Sequence, residues 1–376
     1  MKRIVITGSK GLLGWHTAVR LHARNCELNF IGKKSLYEII LLDRSKFNNY
    51  EFLLKSIESA DLIFHFAGVN RSKKKDFVGK SNILIAQNLS KAYIESGSKA
   101  HIIYANSTQS FQKTEYGLSK KVSGQILGEV AFKFTNIFIP NVFGECAKPF
   151  FNNVTATLIY QIWQDKSLSI NPKGIVNLIY AGDVAQKFID IGLDSKEGNF
   201  ELHGKKITVN NLSVLLKEFH TKYQKNIFPE LKSVFDLNLF NSYRGASFPL
   251  NWPKELKLNE DYRGSLFEAA KGGGGQSYIS TTKPGIIRGE HFHLNKVERF
   301  IVLNGTALIR TRKVFDEQIV NFRVSGDYPV YIDLPTMYTH SIENIGTNDL
   351  LTYFWSHDIF DPKSPDTYKD PVLKKF

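Results

Sequence analysis

The sequence predicts two domains, an α/β domain with a doubly wound parallel sheet followed by an all-β barrel. Apolar strand-like runs alternate with helical patterns over the first part of the chain, and short strand-like runs without helices fill the last third. The 376 residues also exceed the roughly 100–200 of a usual domain. We therefore place the first domain at residues 1–245, a linker at 246–256 and the second domain at 257–376.

The composition and charge of the chain indicate which classes of protein it can belong to. Hydrophobic residues make up 42% of the chain, and the two cysteines, Cys26 and Cys146, have no CxxC partner. Neither a signal-peptide core nor an apolar run of about 18 residues is present, so we expect a cytoplasmic protein without membrane insertion. The net charge is +13, but the basic residues are scattered. We therefore expect no nucleic-acid partner, and pockets for phosphorylated small molecules instead.

A glycine-rich turn follows the first predicted strand and precedes a helical pattern. Glycines in this setting permit a tight turn and a close approach to a pyrophosphate, and the helix N-terminus supplies free N–H groups. The position directly after a strand makes this motif more specific than a lone glycine string. We expect it to bind a dinucleotide through Gly8, Ser9, Lys10, Gly11, Leu12, Leu13 and Gly14.

The next strand is predicted at Leu28–Ile31 and leads to Lys33 and Lys34. A site selective for NAD usually has an acidic residue here for the ribose hydroxyls, whereas lysines suit a 2′-phosphate. NADPH is therefore the expected cofactor. A later strand from Asp61 ends at Ala67 and Gly68, small residues that let the cofactor lie close to the strand end.

Tyr116 and Lys120 have the i, i+4 spacing that places both side chains on one helix face. Carbonyl reduction needs a proton donor, and a nearby ammonium lowers the pKa of a phenol from its usual value of about 10. Ser107, at the end of the preceding strand, can hydrogen-bond the same substrate oxygen. Tyr116, Lys120 and Ser107 are the predicted catalytic residues.

With these motifs, residues 1 to about 245 resemble an extended short-chain dehydrogenase with a Rossmann-like fold that acts on a nucleotide sugar. The resemblance implies that Pro140 flanks the nicotinamide, that Asn141 and Arg71 contact the substrate, and that Asn82 lies beneath the active site. It also implies that the segment 177–185 lies near the substrate. The chain departs from the family at Thr108–Phe111, where Val-Tyr-Gly is usual.

The last third carries a cluster of metal-ligand residue types. His291 and His293 alternate on a strand, Glu298 follows a short turn, and His340 belongs to a later strand. Three imidazoles and a carboxylate suit a divalent first-row metal, with zinc favoured and nickel, manganese and iron as alternatives. Isolated surface histidines would be the simpler interpretation of His-x-His alone, but the flanking glycines and the later Pro-x4-His-x3-Asn argue for a site.

This pattern resembles the two motifs of the cupins, which implies a jelly-roll barrel. Met337 stands where the second motif usually has glycine. Two further segments, Asp261-Tyr-Arg263-Gly264-Ser-Leu-Phe-Glu268 and Arg288-Gly289-Glu-His291, resemble cupin epimerases of deoxy-sugar synthesis. That likeness implies removal of a proton next to a 4-keto group, which a divalent ion assists. The candidate bases include Tyr338, Glu268 and Lys283, and also His291 if the metal is absent.

The order of the two domains is combined with five further segments, Ala67-Gly-Val-Asn-Arg71, Tyr116-Gly-x-Ser-Lys120, Lys283-Pro-Gly-Ile286, Tyr338-Thr-His340-x-Ile-Glu-Asn344 and Phe360-Asp-Pro362-x2-Pro365-Asp-Thr-Tyr368. With these segments, nearly the whole chain resembles the CapF-type bifunctional enzymes of capsular polysaccharide synthesis. The resemblance implies C3 epimerisation of a UDP-2-acetamido-2,6-dideoxy-4-hexulose by the barrel. Reduction of the C4 ketone by NADPH then gives UDP-2-acetamido-2,6-dideoxy-L-talose, for N-acetyl-L-fucosamine of capsule or O-antigen. We expect a homodimer through the cupin domain. The alternatives are a reductase whose cupin only dimerises, and a non-catalytic regulator that senses nicotinamide.

Overall fold

The computed structural model describes residues 1–74, 76–168, 170–171 and 173–373. Contacts group the chain into two compact units, residues 1–160 with 168–212, and residues 161–167 with 213 onward. The second unit begins upstream of residue 245, so the last helices before the barrel group with the barrel. The limits 1–245, 246–256 and 257–376 stay predictions about separately folding domains.

The first unit alternates strands and helices along the chain. Helix α6 begins in this unit and ends in the second. In chain order its elements are β1 Lys2–Thr7, α1 Leu12–Phe30, β2 Tyr37–Leu42, α2 Arg44–Asn48, α3 Tyr50–Glu58, β3 Leu62–His65, α4 Phe77–Glu95, β4 His101–Ser107, a 3-10 helix Thr108–Phe111, α5 Glu115–Val130, β5 Lys133–Ile139, β6 Asn141–Phe143, α6 Val154–Trp163, β7 Ile175–Tyr180, α7 Ala181–Leu193, β8 Gly198–Glu201 and β9 Lys205–Thr208.

Six parallel strands form the main sheet, in the order β2-β1-β3-β4-β5-β8. Strand β3 is buried throughout, as expected where helices cover both faces of a parallel sheet. The strand order reverses between β1 and β3, and ligands of such folds bind beyond the carboxyl ends of the strands at this point. The Rossmann-like α/β prediction is confirmed.

The predicted strand at Leu28–Ile31 is wrong. These residues form the end of α1 and the turn after it, and Phe30 and Ile31 are exposed. The second strand is β2, which pairs in parallel with β1 from Lys2 opposite Tyr37 to Thr7 opposite Leu42. A short apolar run does not distinguish a strand from a helix end by periodicity alone, which explains the error.

The second unit contains the end of α6, most of α8, helix α9 and an antiparallel barrel. Helix α8 begins in the first unit and ends in this one. The elements are α8 Val209–Gln224, α9 Val234–Gly245, β10 Lys254–Glu255, β11 Asn259–Asp261, β12 Gly264–Leu266, β13 Gln276–Thr282, β14 Ile287–Phe292, β15 Glu298–Asn304, β16 Thr306–Lys313, β17 Ile319–Ser325, β18 Val330–Leu334, β19 Tyr338–Asn344, β20 Leu350–Ser356 and β21 Tyr368–Lys369.

Two five-stranded sheets make up the barrel, in the orders β10-β18-β15-β20-β13 and β17-β16-β19-β14-β21. All their strand pairs are antiparallel. This architecture is consistent with a cupin and confirms the all-β prediction. Strand β10, at the end of the predicted linker, adds to the first of these sheets by pairing with β18.

A buried polar network joins α8 and α9 to the barrel. The Arg299 guanidinium contacts the Asp333 carboxylate through Nε at 2.6 Å and Nη2 at 2.8 Å. The Tyr223 hydroxyl of α8 donates to the same carboxylate, and Arg244 of α9 donates to the Leu334 carbonyl at 3.2 Å. These contacts explain why both helices group with the barrel.

No helix in the described residues is both long and apolar enough to cross a membrane.

Candidate functional site

A cavity of about 260 Å3 lies at the carboxyl edge of the parallel sheet, where the strand order reverses. It is bounded by the glycine-rich turn after β1, the segment after β3, the end of β4, the start of α5 and the segment between β5 and β6. The predicted site residues that line it are Gly8, Gly11, Leu12, Leu13, Gly14, Gly68, Ser107, Tyr116, Lys120, Pro140 and Asn141.

The glycine-rich turn brings helix α1 close to the end of β1. Gly8 has φ 67, and an added Cβ would lie 2.8 Å from the Ala67 nitrogen. A Cβ on Gly14 would lie 2.4 Å from the Gly8 carbonyl oxygen. Gly11 precedes α1 without a side-chain cap, so the first N–H groups of the helix remain available to an anion.

Tyr116, Lys120 and Ser107 come together at the cavity. Thr114 caps α5 by accepting from the Gly117 N–H at 3.0 Å, and Gly117 lets the helix start pack on Gln109. Burial raises the pKa of Tyr116 to about 12, although a hydrogen bond with Ser107 opposes this. Burial lowers the pKa of Lys120 to about 7. We expected a lowered pKa for the phenol, but burial dominates and keeps Tyr116 in its proton-donating form.

Asn82 lies behind this group on α4 and is buried. Its side-chain oxygen accepts from the Val69 N–H at 2.7 Å, and its amide donates to the Ser119 hydroxyl at 3.1 Å. It thereby links the segment after β3 to the helix that carries Tyr116 and Lys120.

Two loops meet beside the cavity. Arg71, predicted to contact substrate, donates to the Phe150 carbonyl at 3.1 Å. The Asn152 side chain donates to the Asn70 carbonyl at 2.8 Å, and both asparagines line the cavity. Arg71 is therefore close to the cavity, although it does not line it.

Lys33 and Lys34 are not brought to the site. They lie between α1 and β2, at the amino edge of the parallel sheet, whereas the cavity lies at the carboxyl edge. The end of β2 carries Asp43 and Arg44 instead. The Asp43 carboxylate caps α2 through the Lys46 N–H and pairs with Lys10 of the glycine-rich turn at 2.9 Å. The apolar run at 37–42 followed by an acid was the signal that could have identified these residues.

Ser9 and Ala67 connect the glycine-rich turn to the ends of the neighbouring strands through hydrogen bonds from their backbone N–H groups. The Ser9 N–H donates to the Leu42 carbonyl at 3.3 Å, and the Ala67 N–H donates to the Thr7 hydroxyl at 3.2 Å. Both residues therefore fix the ends of neighbouring strands at the carboxyl edge.

A second candidate site lies inside the barrel. The ligand atoms of His291, His293, Glu298 and His340 all lie within 4.8 Å of one another. His291 on β14 is directly opposite His340 on β19, and Glu298 comes from the other sheet. Nε2 of His293 is 3.0 Å from Oε2 of Glu298, and Nε2 of His340 is 3.4 Å from it.

The charges of this group are strongly coupled. Burial would lower the pKa of His293, but the charges of Glu298 and Asp366 raise it. Burial would raise the pKa of Glu298, but His293 and His340 hold it well below its usual range. Burial and the neighbouring imidazoles lower the pKa of His291 well below its usual value. His291 is therefore a neutral imidazole, the form that binds metal.

The arrangement fits a divalent metal. Nδ1 of His293 faces the Asp366 carbonyl at 2.5 Å and Nδ1 of His340 faces the Tyr338 carbonyl at 3.2 Å, which directs both Nε2 atoms inward. Both buried Nε2 atoms lie close to the Glu298 carboxylate, but among the described residues neither makes a well-aligned hydrogen bond. Imidazole nitrogens beside a carboxylate are the donor set that zinc prefers.

Asp366 supports the cluster, a role that the sequence did not predict. Its carboxylate accepts from the backbone N–H groups of Leu294, Asn295 and Lys296 at 2.8–2.9 Å. It therefore fixes the turn between His293 and Glu298. No local pattern connects it to His293, which is 73 positions away.

Met337 occupies a backbone conformation that favours glycine. Its φ is 60, its side chain is buried, and its N–H donates to the His293 carbonyl at 2.7 Å. The turn before β19 therefore ties two ligand-bearing segments together, with a methionine at the place where the cupin motif has glycine.

The inner face of the barrel also carries Tyr278 on β13. Tyr278 lies opposite Phe354, and Ser356 lies opposite Glu298, so all four side chains share one face. Burial, and then the Glu298 charge, raise the pKa of Tyr278. Alternation along β13 was the only sequence signal for this residue.

The four predicted bases differ in their surroundings. His291 belongs to the metal cluster, and Tyr338 shares the face of His340 on β19 while its ring contacts Phe248. Glu268 pairs with Lys271 at 2.8 Å, and Lys283 pairs with Asp349 at 2.7 Å; both pairs are largely exposed.

Comparison with known proteins relates both units to polysaccharide synthesis. Residues 4–197 match the NAD dependent epimerase/dehydratase family, and residues 259–368 match the polysaccharide biosynthesis C-terminal domain. The chain is 28% identical over 377 residues to a Pseudomonas aeruginosa protein named UDP-2-acetamido-2,6-beta-L-arabino-hexul-4-ose reductase, covering 97% of this chain and 98% of that protein.

Solved structures show the same likeness over 98% of the chain. The crystal structure of the capsular polysaccharide assembling protein CapF from Staphylococcus aureus is 30% identical, covers 98% of this chain and 100% of that chain, and has a TM-score of 0.56. CapF with the inhibitor 3-isopropenyl-tropolone is 29% identical with the same coverage and a TM-score of 0.52. The chain therefore belongs to the NAD dependent epimerase/dehydratase family, as a CapF-like protein with a polysaccharide biosynthesis C-terminal domain.

Proposed function

We propose that the chain acts twice on one UDP-linked 4-keto-6-deoxy amino sugar. The barrel epimerises C3, and the first unit then reduces the C4 ketone to give UDP-2-acetamido-2,6-dideoxy-L-talose, on the route to N-acetyl-L-fucosamine of capsule or O-antigen. The observation that carries this proposal is the presence in one chain of both the Tyr116–Lys120–Ser107 pocket and the partly buried His291–His293–Glu298–His340 cluster. The name of the Pseudomonas aeruginosa relative supports the substrate.

In the reductase step, the chain's own residues control one proton. Tyr116 donates its phenolic proton to the C4 oxygen, Ser107 hydrogen-bonds that oxygen, and the Lys120 ammonium stabilises the resulting phenolate. The raised pKa of Tyr116 keeps the phenol protonated before reaction but makes it a weaker acid, so proton donation depends on the Lys120 ammonium stabilising the phenolate. NADPH, when bound, supplies the hydride.

In the epimerisation step, the C4 carbonyl acidifies the neighbouring C3–H, and a bound divalent metal supplies positive charge beside it. The barrel must remove this proton on one face of the sugar and return one on the other. We favour Tyr278 and Tyr338 for these transfers, because both lie on the inner faces of the barrel strands. Glu268 and Lys283 are less suited, because each is held in a surface ion pair.

We propose NADPH as the cofactor because of the charged residues at the end of β2. The Asp43 carboxylate is engaged with Lys10 and with the start of α2, so its charge is already compensated. With Lys10 balancing Asp43, Arg44 is the cationic group for a 2′-phosphate at the end of β2.

We also propose a homodimer formed through the barrel. The outer face of β13 and the turn before β14 expose large apolar side chains, Ile279 at 69% and Ile286 at 51%. Sedimentation of wild type and of Ile279→Lys tests this: the variant should shift toward monomer, whereas an unchanged assembly would remove β13 from the interface.

The test of the two-step proposal follows both reactions in deuterated buffer. The 4-keto UDP-sugar is mixed with protein and NADPH, NADPH loss is followed by absorbance, and the product is examined by NMR. We expect one solvent deuterium at C3 and one new C4–H. Tyr116→Phe should abolish NADPH oxidation while deuterium uptake and NADPH binding continue.

His340→Ala provides the complementary result. It should lose C3 deuterium uptake but still reduce a ketone that has already been epimerised. Absence of a bound divalent metal in the purified wild-type protein would leave a reductase with a dimerising barrel. Full NADPH oxidation by Tyr116→Phe would instead remove the reductase assignment and favour the regulator.

A further inference from the structure

The ammonium of Lys120 lies over an aromatic ring. Its Nζ is 4.1 Å from the centroid of Tyr104, a residue of the strand that ends at Ser107. Both side chains are buried, with Lys120 7% and Tyr104 1% exposed. No carboxylate pairs with this ammonium in the described ranges 1–74, 76–168, 170–171 and 173–373. The ring face is thus its compensating contact.

The Tyr104 ring is itself firmly held. Its hydroxyl donates to the Lys120 carbonyl at 3.4 Å, and an added Cβ at Gly124 would lie 3.5 Å from its Cε1. His65 stacks on it with centroids 5.7 Å apart, and Thr7 contacts His65 Nδ1 at 2.8 Å. The ring therefore has little freedom to turn away from the ammonium.

We propose that Tyr104 is a positioning residue of the reductase step, whose ring face holds the Lys120 side chain in its charged form beside Tyr116. The inference rests on the proposed reductase function, in which Lys120 acts as an ammonium. A cation over a desolvated aromatic face is attracted by the negative charge density of that face. Burial opposes this by favouring neutral Lys120, so the ring offsets part of the burial penalty.

The titratable groups that face Lys120 define the expected pH dependence. In the part of the chain that the structure describes, these groups are His65 on β3, Tyr104 on β4 and Tyr116 on the same helix. Burial, and then the Lys120 charge, lower the pKa of His65 to about 3, so it is neutral. Tyr104 and Tyr116 have raised pKa values and are neutral as well. Among these four residues, Lys120 is therefore the one that gains or loses its proton near neutral pH.

The experiment measures the Lys120 titration directly in the full chain. Protein labelled with 13Cε-lysine is titrated by NMR, and Lys120→Met assigns the signal. Tyr104→Leu removes the ring, and we expect the midpoint to fall by about one pH unit, a roughly ten-fold weaker hold on the proton. Tyr104→Phe keeps the ring face and should stay near wild type. A midpoint that is equal in wild type and Tyr104→Leu would overturn the proposal.

Two controls separate this effect from damage to the fold. Tyr93→Leu removes another buried tyrosine of the same unit and should leave the Lys120 midpoint unchanged. Trifluorophenylalanine at position 104 preserves the ring shape but withdraws negative charge from the ring face. We therefore expect it to lower the Lys120 midpoint relative to Tyr104→Phe. This variant also tests the proposal if Tyr104→Leu does not fold. A midpoint equal to that of Tyr104→Phe would contradict a role for the ring face.

The pH profile of NADPH oxidation connects the titration to reaction. Loss of the ammonium lowers activity as pH rises, so the alkaline limb should move to lower pH in Tyr104→Leu and remain in place in Tyr104→Phe. A purely structural role would lower activity at all pH values without moving the limb. If wild type oxidises no NADPH with the 4-keto UDP-sugar, the reductase proposal fails, while the NMR titration still decides the role of Tyr104 toward Lys120.

Discussion

Arg299 and Asp333 form a buried two-point ion pair across β15 and β18, one residue along β15 from Glu298 of the metal cluster. The two side chains of neighbouring residues 298 and 299 point to opposite faces of the strand. Glu298 thus faces the barrel interior, while Arg299 anchors the same strand to Tyr223 of α8 through Asp333. A polar network on the opposite face of β15 therefore supports the candidate metal site.

Loss of one partner of this pair should destabilise the second unit strongly. Arg299→Met leaves the Asp333 carboxylate buried without its cation, and we expect the free energy of unfolding to fall by about 3–5 kcal/mol. Urea unfolding followed by tryptophan fluorescence measures the change. Arg299→Met combined with Asp333→Leu should recover most of the loss, and equal stability of single and double variants would contradict this account.

Asp366→Asn should weaken metal binding. The carboxylate accepts three backbone N–H groups in the turn between His293 and Glu298, and an amide accepts them less strongly. We expect the metal affinity to fall about 10–100-fold, as for other residues that support metal ligands. Competition with a chromogenic chelator measures it. Asp361→Asn, in an exposed turn of the same segment, is the matched control and should bind metal as wild type does.

Arg44→Ala should change cofactor selectivity. If Arg44 contacts the 2′-phosphate, its removal raises the KM for NADPH about ten-fold and leaves the KM for NADH nearly unchanged. Steady-state kinetics with both cofactors measure this. Lys33→Ala and Lys34→Ala should have no such effect, since both residues lie at the opposite edge of the sheet. A selective NADPH defect in those two variants would restore the original sequence interpretation.

Gly14→Ala should impair dinucleotide binding. The added Cβ would lie 2.4 Å from the Gly8 carbonyl oxygen, so the helix must move away from the turn. We expect the Kd for NADPH to rise at least about ten-fold, or ~1.4 kcal/mol, measured by fluorescence titration. Gly274→Ala has no atom within 4 Å of its ideal Cβ and should be neutral. Unchanged NADPH binding by Gly14→Ala would mean that the turn does not hold the pyrophosphate.

Local patterns in the sequence predicted both fold classes. The glycine-rich turn, the Tyr-x3-Lys spacing and the His-x-His motif report on contacts within one or two elements, and their residues converge in the structure. The error at Leu28–Ile31 arose because those apolar residues end a helix. That error also led to Lys33 and Lys34 being placed beside the cofactor.

Other residues of the two candidate sites depend on long-range contacts, which cannot be predicted from spacing in the sequence. Asp366 reaches His293 from 73 positions away, and Tyr278 shares a face with Glu298 only through the pairing of β13, β20 and β15. Tyr104 is a buried strand residue by pattern, and its position under Lys120 depends on how α5 packs on the sheet. Strand register and helix packing are set by the whole core, which explains why these residues were missed.

The left-handed backbone and the buried side chain at Met337 disfavour substitution both by glycine and by β-branched residues. Glycine would relieve about 1 kcal/mol of backbone strain but would empty a buried site, which typically costs about 2–5 kcal/mol. A β-branched residue would fill the space yet fit the backbone worse. The same turn connects His293 to the strand of His340. The substitutions tolerated at position 337 are therefore limited both by the core volume to be filled and by the positions of the two histidines.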